Sequence, residues 1–81
     1  MVLSEAIRKR ILKLTKERKI TLNKLATLSG ITNSTLDSFM SKETNNPKIT
    51  TILHICEGLD IELREFFDDV VFIEVEADNA K

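Results

Sequence analysis

Residues 21–42, TLNKLATLSGITNSTLDSFMSK, decide the fold that we predict for this chain of 81 residues. Thr21 and Thr32 are residue types that cap the first turn of a helix, so each of them marks a helix start. Gly30 lies between them, and glycine readily adopts the left-handed conformation that ends a helix. The stretch therefore predicts two short helices, one that begins at Thr21 and one over 32–41, joined by a tight turn.

Apolar residues in this stretch have the spacing that lets two helices pack at a steep angle. Ala26 is small and permits close approach, Ile31 fills the turn, and Leu36 holds the second helix down. This spacing is typical of a helix-turn-helix. The residues that we expect to face the core are Leu25, Ala26, Leu28, Leu36, Phe39 and Met40.

Three further helices are predicted on either side of this pair. Ser4 is expected to cap a first helix that carries an apolar stripe and ends near Arg18. A fourth helix, about 49–58, is ended by Gly58-Leu59-Asp60, and a short fifth helix covers about 62–69. The predicted fold class is therefore all-α, a five-helix bundle that contains the helix-turn-helix.

The segment after the fifth helix has a different composition. Residues 70–75, VVFIEV, are β-branched, aromatic and partly alternating, which favours a short strand. A lone strand in a helical domain can pair with its copy in a second molecule, while the alternative is a tail laid on the core. We therefore expect a domain over 1–69 and an extension over 70–81, a dimerisation strand followed by a frayed tail at 77–81.

The composition narrows the class of protein. Residues 1–48 hold ten Lys or Arg and four Asp or Glu, whereas residues 49–81 hold two and nine, so the first part is basic and the second acidic. Such asymmetry suggests one end that faces phosphates, although two unrelated solvated faces are equally compatible with it. A single cysteine, no signal peptide and no stretch of about 18 apolar residues favour a cytoplasmic protein without a membrane span.

An enzyme is not expected, because the chain has one His, one Cys and no glycine-rich loop. His54 is interpreted as a surface or partly packed residue and Cys56 as a small core residue. Glu65, Asp68 and Asp69 are better explained by a solvated helix end than by a metal site. We expect no cofactor and no bound metal.

The segment 21–42 resembles the helix-turn-helix of the lambda-repressor/Cro-like family, also called the XRE family. The resemblance continues through Asn46-Pro47, the helix that starts at Ile49, and GLDIEL at 58–63 before two phenylalanines. It covers roughly residues 5–69 in the order of a five-helix domain. It implies a sequence-specific regulator of transcription that binds double-stranded DNA, with helix 32–41 as the recognition helix in the major groove.

The resemblance also implies which residues contact DNA. Asn33, Ser34, Asp37 and Ser38 would face base edges, where Asn33 suits adenine and Asp37 suits the amino group of cytosine. Thr32 would cap the recognition helix and orient its phosphate-facing end. The residues expected at the DNA backbone are Thr21, Lys24, Ser41, Lys42, Asn45, Asn46 and Lys48.

The chain departs from the family at several positions. Leu22 replaces a glutamine that often touches phosphate, and Lys42 replaces the glycine that often follows the recognition helix. Met40 and Thr15 replace an internal Glu–Arg pair, and because both partners change together no buried charge is orphaned. The fold is expected to survive these changes.

Two functions remain open from the sequence. The first is a dimeric DNA-binding regulator in which each recognition helix reads one half-site. Its expected role as a repressor follows from what is common in the family. The second is a protein-binding module in which the helix-turn-helix is only a scaffold and the acidic, apolar segment 65–76 binds a partner protein. Mutation of Asn33 and Ser38 would separate them.

Overall fold

A computed structural model describes residues 1–41 and 46–76 of the chain. The described part contains five α-helices and a final 3-10 helix: α1 (Leu3–Arg18), α2 (Leu22–Ser29), α3 (Asn33–Ser41), α4 (Ile49–Leu59), α5 (Leu63–Phe67) and the 3-10 helix Val70–Glu74. The predicted all-α class and the order of five helices are confirmed. No helix within the described ranges has the length and apolarity needed to cross a bilayer.

Three caps were predicted, and two of them are confirmed. The Thr21 hydroxyl accepts a hydrogen bond from the Lys24 amide at 3.0 Å, and the Thr32 hydroxyl accepts one from the Thr35 amide at 3.0 Å. The prediction for Ser4 is wrong, because α1 begins at Leu3 and Ser4 lies buried inside its first turn. A small side chain is favoured there by packing rather than by capping.

Left-handed residues end three of the helices. Gly30 has φ 72° and ends α2, as predicted. Lys19 ends α1 with φ 58°, and Asp60 ends α4 with φ 59°. Glycine adopts both conformations at lower cost, so the residue types Lys and Asp do not by themselves predict a left-handed geometry. The predicted end of α4 in the stretch Gly58-Leu59-Asp60 is confirmed, because the helix runs to Leu59 and Asp60 is its cap, whereas Gly58 itself lies inside the helix.

The core forms where all five helices meet. It consists of Ile7, Ile11, Leu14, Leu25, Ala26, Leu36, Phe39, Ile52, Ile55, Cys56, Leu59 and Phe66. Leu28 was predicted to be buried, but 44% of it is exposed, because the main chain of Leu28 rather than its side chain lies against Gly58 of α4. Met40 is only half-buried, at the edge of the core.

The predicted strand at 70–75 is wrong, because residues 70–74 form the 3-10 helix. The Asp69 carboxylate accepts a hydrogen bond from the Val71 amide at 2.9 Å and so caps this helix. Phe72 packs against Phe67 and Phe66, with ring centroids 5.1 and 6.2 Å apart. Aromatic packing and a local cap therefore outweigh the β propensity of the segment. The predicted frayed tail at 77–81 lies outside the described residues.

A buried arginine fastens the C-terminal part to α1. Arg10 is 8% exposed and donates hydrogen bonds to the main-chain oxygens of Phe66 at 2.7 Å and Glu65 at 2.8 Å. Its third contact is to the Asp69 carboxylate at 3.1 Å, which Lys13 also contacts at 2.8 Å. The Arg10 guanidinium therefore donates hydrogen bonds to carbonyl groups in the last turn of α5 and holds Asp69, the cap of the 3-10 helix, in place.

Candidate nucleic-acid interface

Helix α3 has one face in the core and one in solvent. Leu36 and Phe39 are buried and anchor the helix. At about 100° per residue, the five predicted residues of this helix share an arc of about 140° on the opposite side. They are Asn33, Ser34, Asp37, Ser38 and Ser41, and all are exposed. The structure therefore gathers short polar side chains on one continuous outward face.

Two threonines form hydrogen bonds with each other at the start of α3. The Thr32 and Thr35 hydroxyl oxygens are 2.8 Å apart, in addition to the cap from Thr32 to the Thr35 amide. The Thr32 carbonyl oxygen accepts from the Leu36 amide at 3.2 Å. Two of the threonine contacts hold the first turn in place, so Asn33 and Ser34 project from a rigid helix start.

Predicted backbone contacts come from two other elements. Thr21 and Lys24 are exposed at the start of α2, where the Thr21 side chain is occupied by its cap. Lys48 is the residue before α4, and like Asn46 it is exposed. Both α2 and α4 thus begin with a lysine within one turn of the helix start.

The start of α4 lies directly beside α3. A shallow groove between these helices is lined by Thr35, Leu36, Phe39, Pro47, Lys48 and Thr51. Lys48 therefore belongs to the same region of the surface as α3, which no spacing along the sequence reveals. Thr35 and Thr51 in this groove were not among the predicted site residues. The one signal for Thr35 was its position three residues after the Thr32 cap.

Two predicted contact residues, Lys42 and Asn45, lie outside the described residues. Ser41, just before them, donates its hydroxyl to the Asp37 carbonyl oxygen at 2.7 Å. Its oxygen keeps the capacity to accept a further hydrogen bond. The Ser41 side chain is thus exposed on the α3 face, but its hydroxyl hydrogen is engaged within the helix, so a contact with phosphate requires the hydroxyl to rotate away from Asp37.

Helix α1 supports α3 from behind. The Arg8 guanidinium lies 5.8 Å from the centroid of the Phe39 ring, a cation–π contact. Met40 shares a shallow groove with Arg8 and Leu12, so α1 faces the position where the family often carries a carboxylate. Of the two positions that carry the family's internal pair, Met40 thus lies near Arg8 and Leu12, and the Thr15 hydroxyl donates to the Leu12 carbonyl oxygen at 2.9 Å.

Asp37 belongs to the α3 face, but most other acidic residues of the described ranges lie at 57–76. This part of the chain contains the end of α4, α5 and the 3-10 helix; α5 packs on α4, and the 3-10 helix packs on α1. The pKa of Asp69 is held below its ordinary value of 3.8 by the hydrogen bond from Lys13 and then by the Val71 amide. The negative charge of this carboxylate is neutralised locally by α1, so basic and acidic regions meet at α1.

His54 and Cys56 do not form a catalytic pair. The His54 side chain is 54% exposed and lies 3.7 Å from Glu57, whereas Cys56 is fully buried in the core. Burial raises the pKa of the Cys56 thiol, which disfavours the reactive thiolate. Within residues 1–41 and 46–76, no group of three His, Cys, Asp or Glu side chains is arranged to hold a metal ion.

Comparisons with known proteins agree with this architecture. A family model described as the Cro/C1-type HTH DNA-binding domain matches residues 10–71. The crystal structure of the prophage Lp1 protein 11 is similar, with 32% sequence identity, a TM-score of 0.79, and coverage of 93% of this chain and 100% of that chain. A search of curated proteins finds no match. Because the family match covers most of the sequence, from the middle of α1 through α5, this chain belongs to the Cro/C1-type helix-turn-helix DNA-binding domains.

Proposed function

We propose that the chain is a sequence-specific regulator of transcription that binds double-stranded DNA and acts as a repressor. In this proposal residues 1–69 form the DNA-binding domain and 70–81 an extension, and the protein works in the cytoplasm as a homodimer. The single observation that carries the proposal is the outward polar face of α3, opposite its buried anchors Leu36 and Phe39. An exposed helix face of this kind fits the major groove.

The base contacts in this proposal come from four residues of α3: Asn33, Ser34, Asp37 and Ser38. The Asn33 amide can donate to and accept from adenine, and the Asp37 carboxylate can accept from a cytosine amino group. The serine hydroxyls suit several bases and bridging waters. The absence of arginine and glutamine on this face leads us to expect modest affinity for a single half-site.

The phosphate contacts in this proposal surround α3. Lys24 and Lys48 supply charge from the starts of α2 and α4, and Thr21, Thr32, Ser41 and Asn46 supply hydrogen bonds. Lys42 and Asn45 complete the proposed set from their position between α3 and α4 in the sequence. Each lysine that neutralises a phosphate releases a counterion, so binding weakens as salt increases.

The first test is selection of bound duplexes from a random library at roughly physiological salt. We expect an enriched inverted repeat whose centres are about 10 bp apart, or a multiple of that distance. Enrichment of a single half-site supports sequence reading and contradicts the dimer. Binding without enrichment that disappears as salt increases contradicts the proposal, because only attraction to phosphates remains.

Two variants divide base contacts from phosphate contacts. Asn33→Ala combined with Ser38→Ala is expected to relax the selected sequence, at about 1–3 kcal/mol of discrimination for a bidentate contact. Lys48→Ala is expected to weaken binding to all duplexes and to reduce the salt slope by about one. Lys16→Ala, an exposed lysine of α1, is the matched control and should leave both quantities unchanged.

A protein-binding module is the second candidate. The observation that favours it is an apolar surface at Val70 and Ile73, which are 71% and 79% exposed. In this function the helix-turn-helix is a scaffold and segment 65–76 binds a partner protein. The combined Asn33→Ala and Ser38→Ala variant would then keep its partner, and no duplex would be enriched by the unmodified protein.

A further inference from the structure

Thr35 lies at the border between the polar face of α3 and its buried face. At about 100° per residue, it is about 60° from Ser38 on the polar side and about 40° from Phe39 on the buried side. Thr35 itself is exposed, whereas Phe39 is buried. A side chain at this border can touch a duplex that is seated on the polar face, although it does not belong to the four residues of α3 proposed for base contacts.

The hydroxyl group of Thr35 is engaged at the start of the helix. Its oxygen lies 2.8 Å from the Thr32 hydroxyl oxygen, and the Thr35 amide donates to that same Thr32 oxygen at 3.0 Å. The oxygen and methyl branches of threonine diverge at Cβ, and rotation about χ1 is restricted for such a side chain. The hydroxyl pair therefore selects one rotamer and also fixes the direction of the methyl group. This methyl group is the part of Thr35 that remains for contact with a ligand.

The surface next to Thr35 is apolar, in contrast to the outward face of α3. Thr35 lines the shallow groove between α3 and α4 together with Leu36, Phe39 and Pro47. Leu36 and Phe39 form the buried side of this groove, and Pro47 is half-buried two residues before α4 begins. The methyl group of Thr35 therefore extends an apolar strip to the edge of the candidate interface with DNA.

A basic residue lies on the other margin of the same groove. Lys48 is exposed, lines the groove with Thr35, and is one of the proposed phosphate contacts. Thr35 thus borders Lys48 across the groove and Ser38 along the helix. A duplex that binds Lys48 through a phosphate and Ser38 through a base edge also covers Thr35.

We propose that Thr35 is a specificity-determining residue whose methyl group contacts the C5-methyl group of a thymine in each half-site. The C5-methyl group is the apolar group that base edges present in the major groove, and a threonine methyl group suits it. Other base edges present polar atoms there, which lose hydrogen bonds with water when a methyl group covers them. The inference rests on the proposed function, because it names one base that the domain selects.

Deoxyuridine in place of thymine tests this contact, because it removes the methyl group and keeps every hydrogen-bonding atom of the base pair. Each thymine of the selected duplex is replaced in turn, and binding of the full chain is measured by fluorescence anisotropy. One replacement in each half-site is expected to weaken binding of the unmodified protein about fourfold, the effect of burying one methyl-sized apolar group. Thr35→Ser keeps the hydroxyl pair and loses the methyl group, so it should bind the thymine duplex about fourfold more weakly and should not respond to that replacement.

Two further variants separate the methyl contact from a structural role of Thr35. Thr35→Val keeps the methyl group and loses the hydroxyl pair, so it should retain the response to deoxyuridine. Thr27→Ser is the matched control, because Thr27 is an exposed threonine of α2 whose hydroxyl donates to the Asn23 carbonyl oxygen at 3.3 Å, and it should retain both the affinity and the response.

The outcomes distinguish this inference from the proposed function. A selected duplex in which no deoxyuridine weakens binding overturns the inference and leaves the proposed function supported. A Thr35→Ser variant that keeps the affinity of the unmodified protein, or its response to every replacement, has the same meaning. If no duplex is enriched by selection, the proposed function fails and the inference fails with it.

Discussion

For the substitution Gly58→Ala, helix propensity predicts a gain in stability, whereas the tertiary structure predicts a loss. Gly58 lies inside α4, where Gly→Ala usually stabilises a helix by about 1 kcal/mol. A Cβ atom at this position would lie 2.8 Å from the carbonyl carbon and oxygen of Leu28 and 2.9 Å from the Ser29 amide nitrogen. These are backbone atoms of the last turn of α2, so no side-chain rotation relieves the contact.

The magnitude follows from these two opposing effects. Overpacking in a well-packed core costs about 1–3 kcal/mol, and three close contacts with backbone favour the upper half of that range. After the gain in helix propensity is subtracted, Gly58→Ala should lower the free energy of unfolding by about 1–2 kcal/mol. The displaced turn joins α2 to α3, so binding to DNA should weaken as well if the proposed function is correct.

Urea unfolding monitored by circular dichroism measures this change. Thr50→Ala, at an exposed position in the same helix, is the control that reports propensity without a new contact and should be neutral or slightly stabilising. A Gly58→Ala variant that is as stable as the unmodified protein, or more stable, would refute the argument from close approach of α4 to α2.

Three further predictions concern the fixed ends of the helices. Arg10→Met should lower the free energy of unfolding by about 3 kcal/mol, because the Asp69 carboxylate and the carbonyl groups of α5 lose their buried donor. Urea unfolding measures this change, and a loss below about 1 kcal/mol would contradict the prediction. Because the pKa of Asp69 is lowered by Lys13, its contribution is present above the ordinary value of 3.8 and is lost as pH falls through the lower pKa of the folded state. The stability advantage of the unmodified chain over Asp69→Asn, measured by unfolding from neutral to acidic pH, should thus shrink below about pH 4, and a constant difference would contradict this. Lys19→Gly should raise the free energy of unfolding by about 0.5 kcal/mol, because relief of the left-handed strain slightly exceeds the entropy that glycine adds to the unfolded chain. A lower unfolding temperature of the variant would contradict this prediction.

Most of the helical architecture was predictable because its signals are local. Thr21, Thr32 and Gly30 specify caps and a turn through atoms within three or four residues, and each behaves as the sequence indicates. The alternation of Leu36 and Phe39 with polar residues likewise predicts which side of α3 is buried. The outward face of the candidate site follows from the same periodicity.

The errors arise where packing or a competing cap overrides the preference of the residue types. Ser4 has the chemistry of a cap, but packing in the first turn of α1 buries it. Residues 70–74 have β propensity, but the Asp69 cap and the Phe72 contacts stabilise a 3-10 helix. A β propensity is realised only next to another strand, and the described part of this chain supplies none.

By itself, the sequence determined the helix-turn-helix, because its helix starts, its turn and its apolar spacing are local properties. Only the tertiary structure decided that Lys48 lies beside α3, that Arg10 hydrogen-bonds to α5, and that the main chain of α2 packs against Gly58. Those contacts join residues far apart in the chain, and their free energy depends on burial and distance in the folded state. The same reason explains why an acidic segment becomes a surface with both charge signs once α1 lies against it.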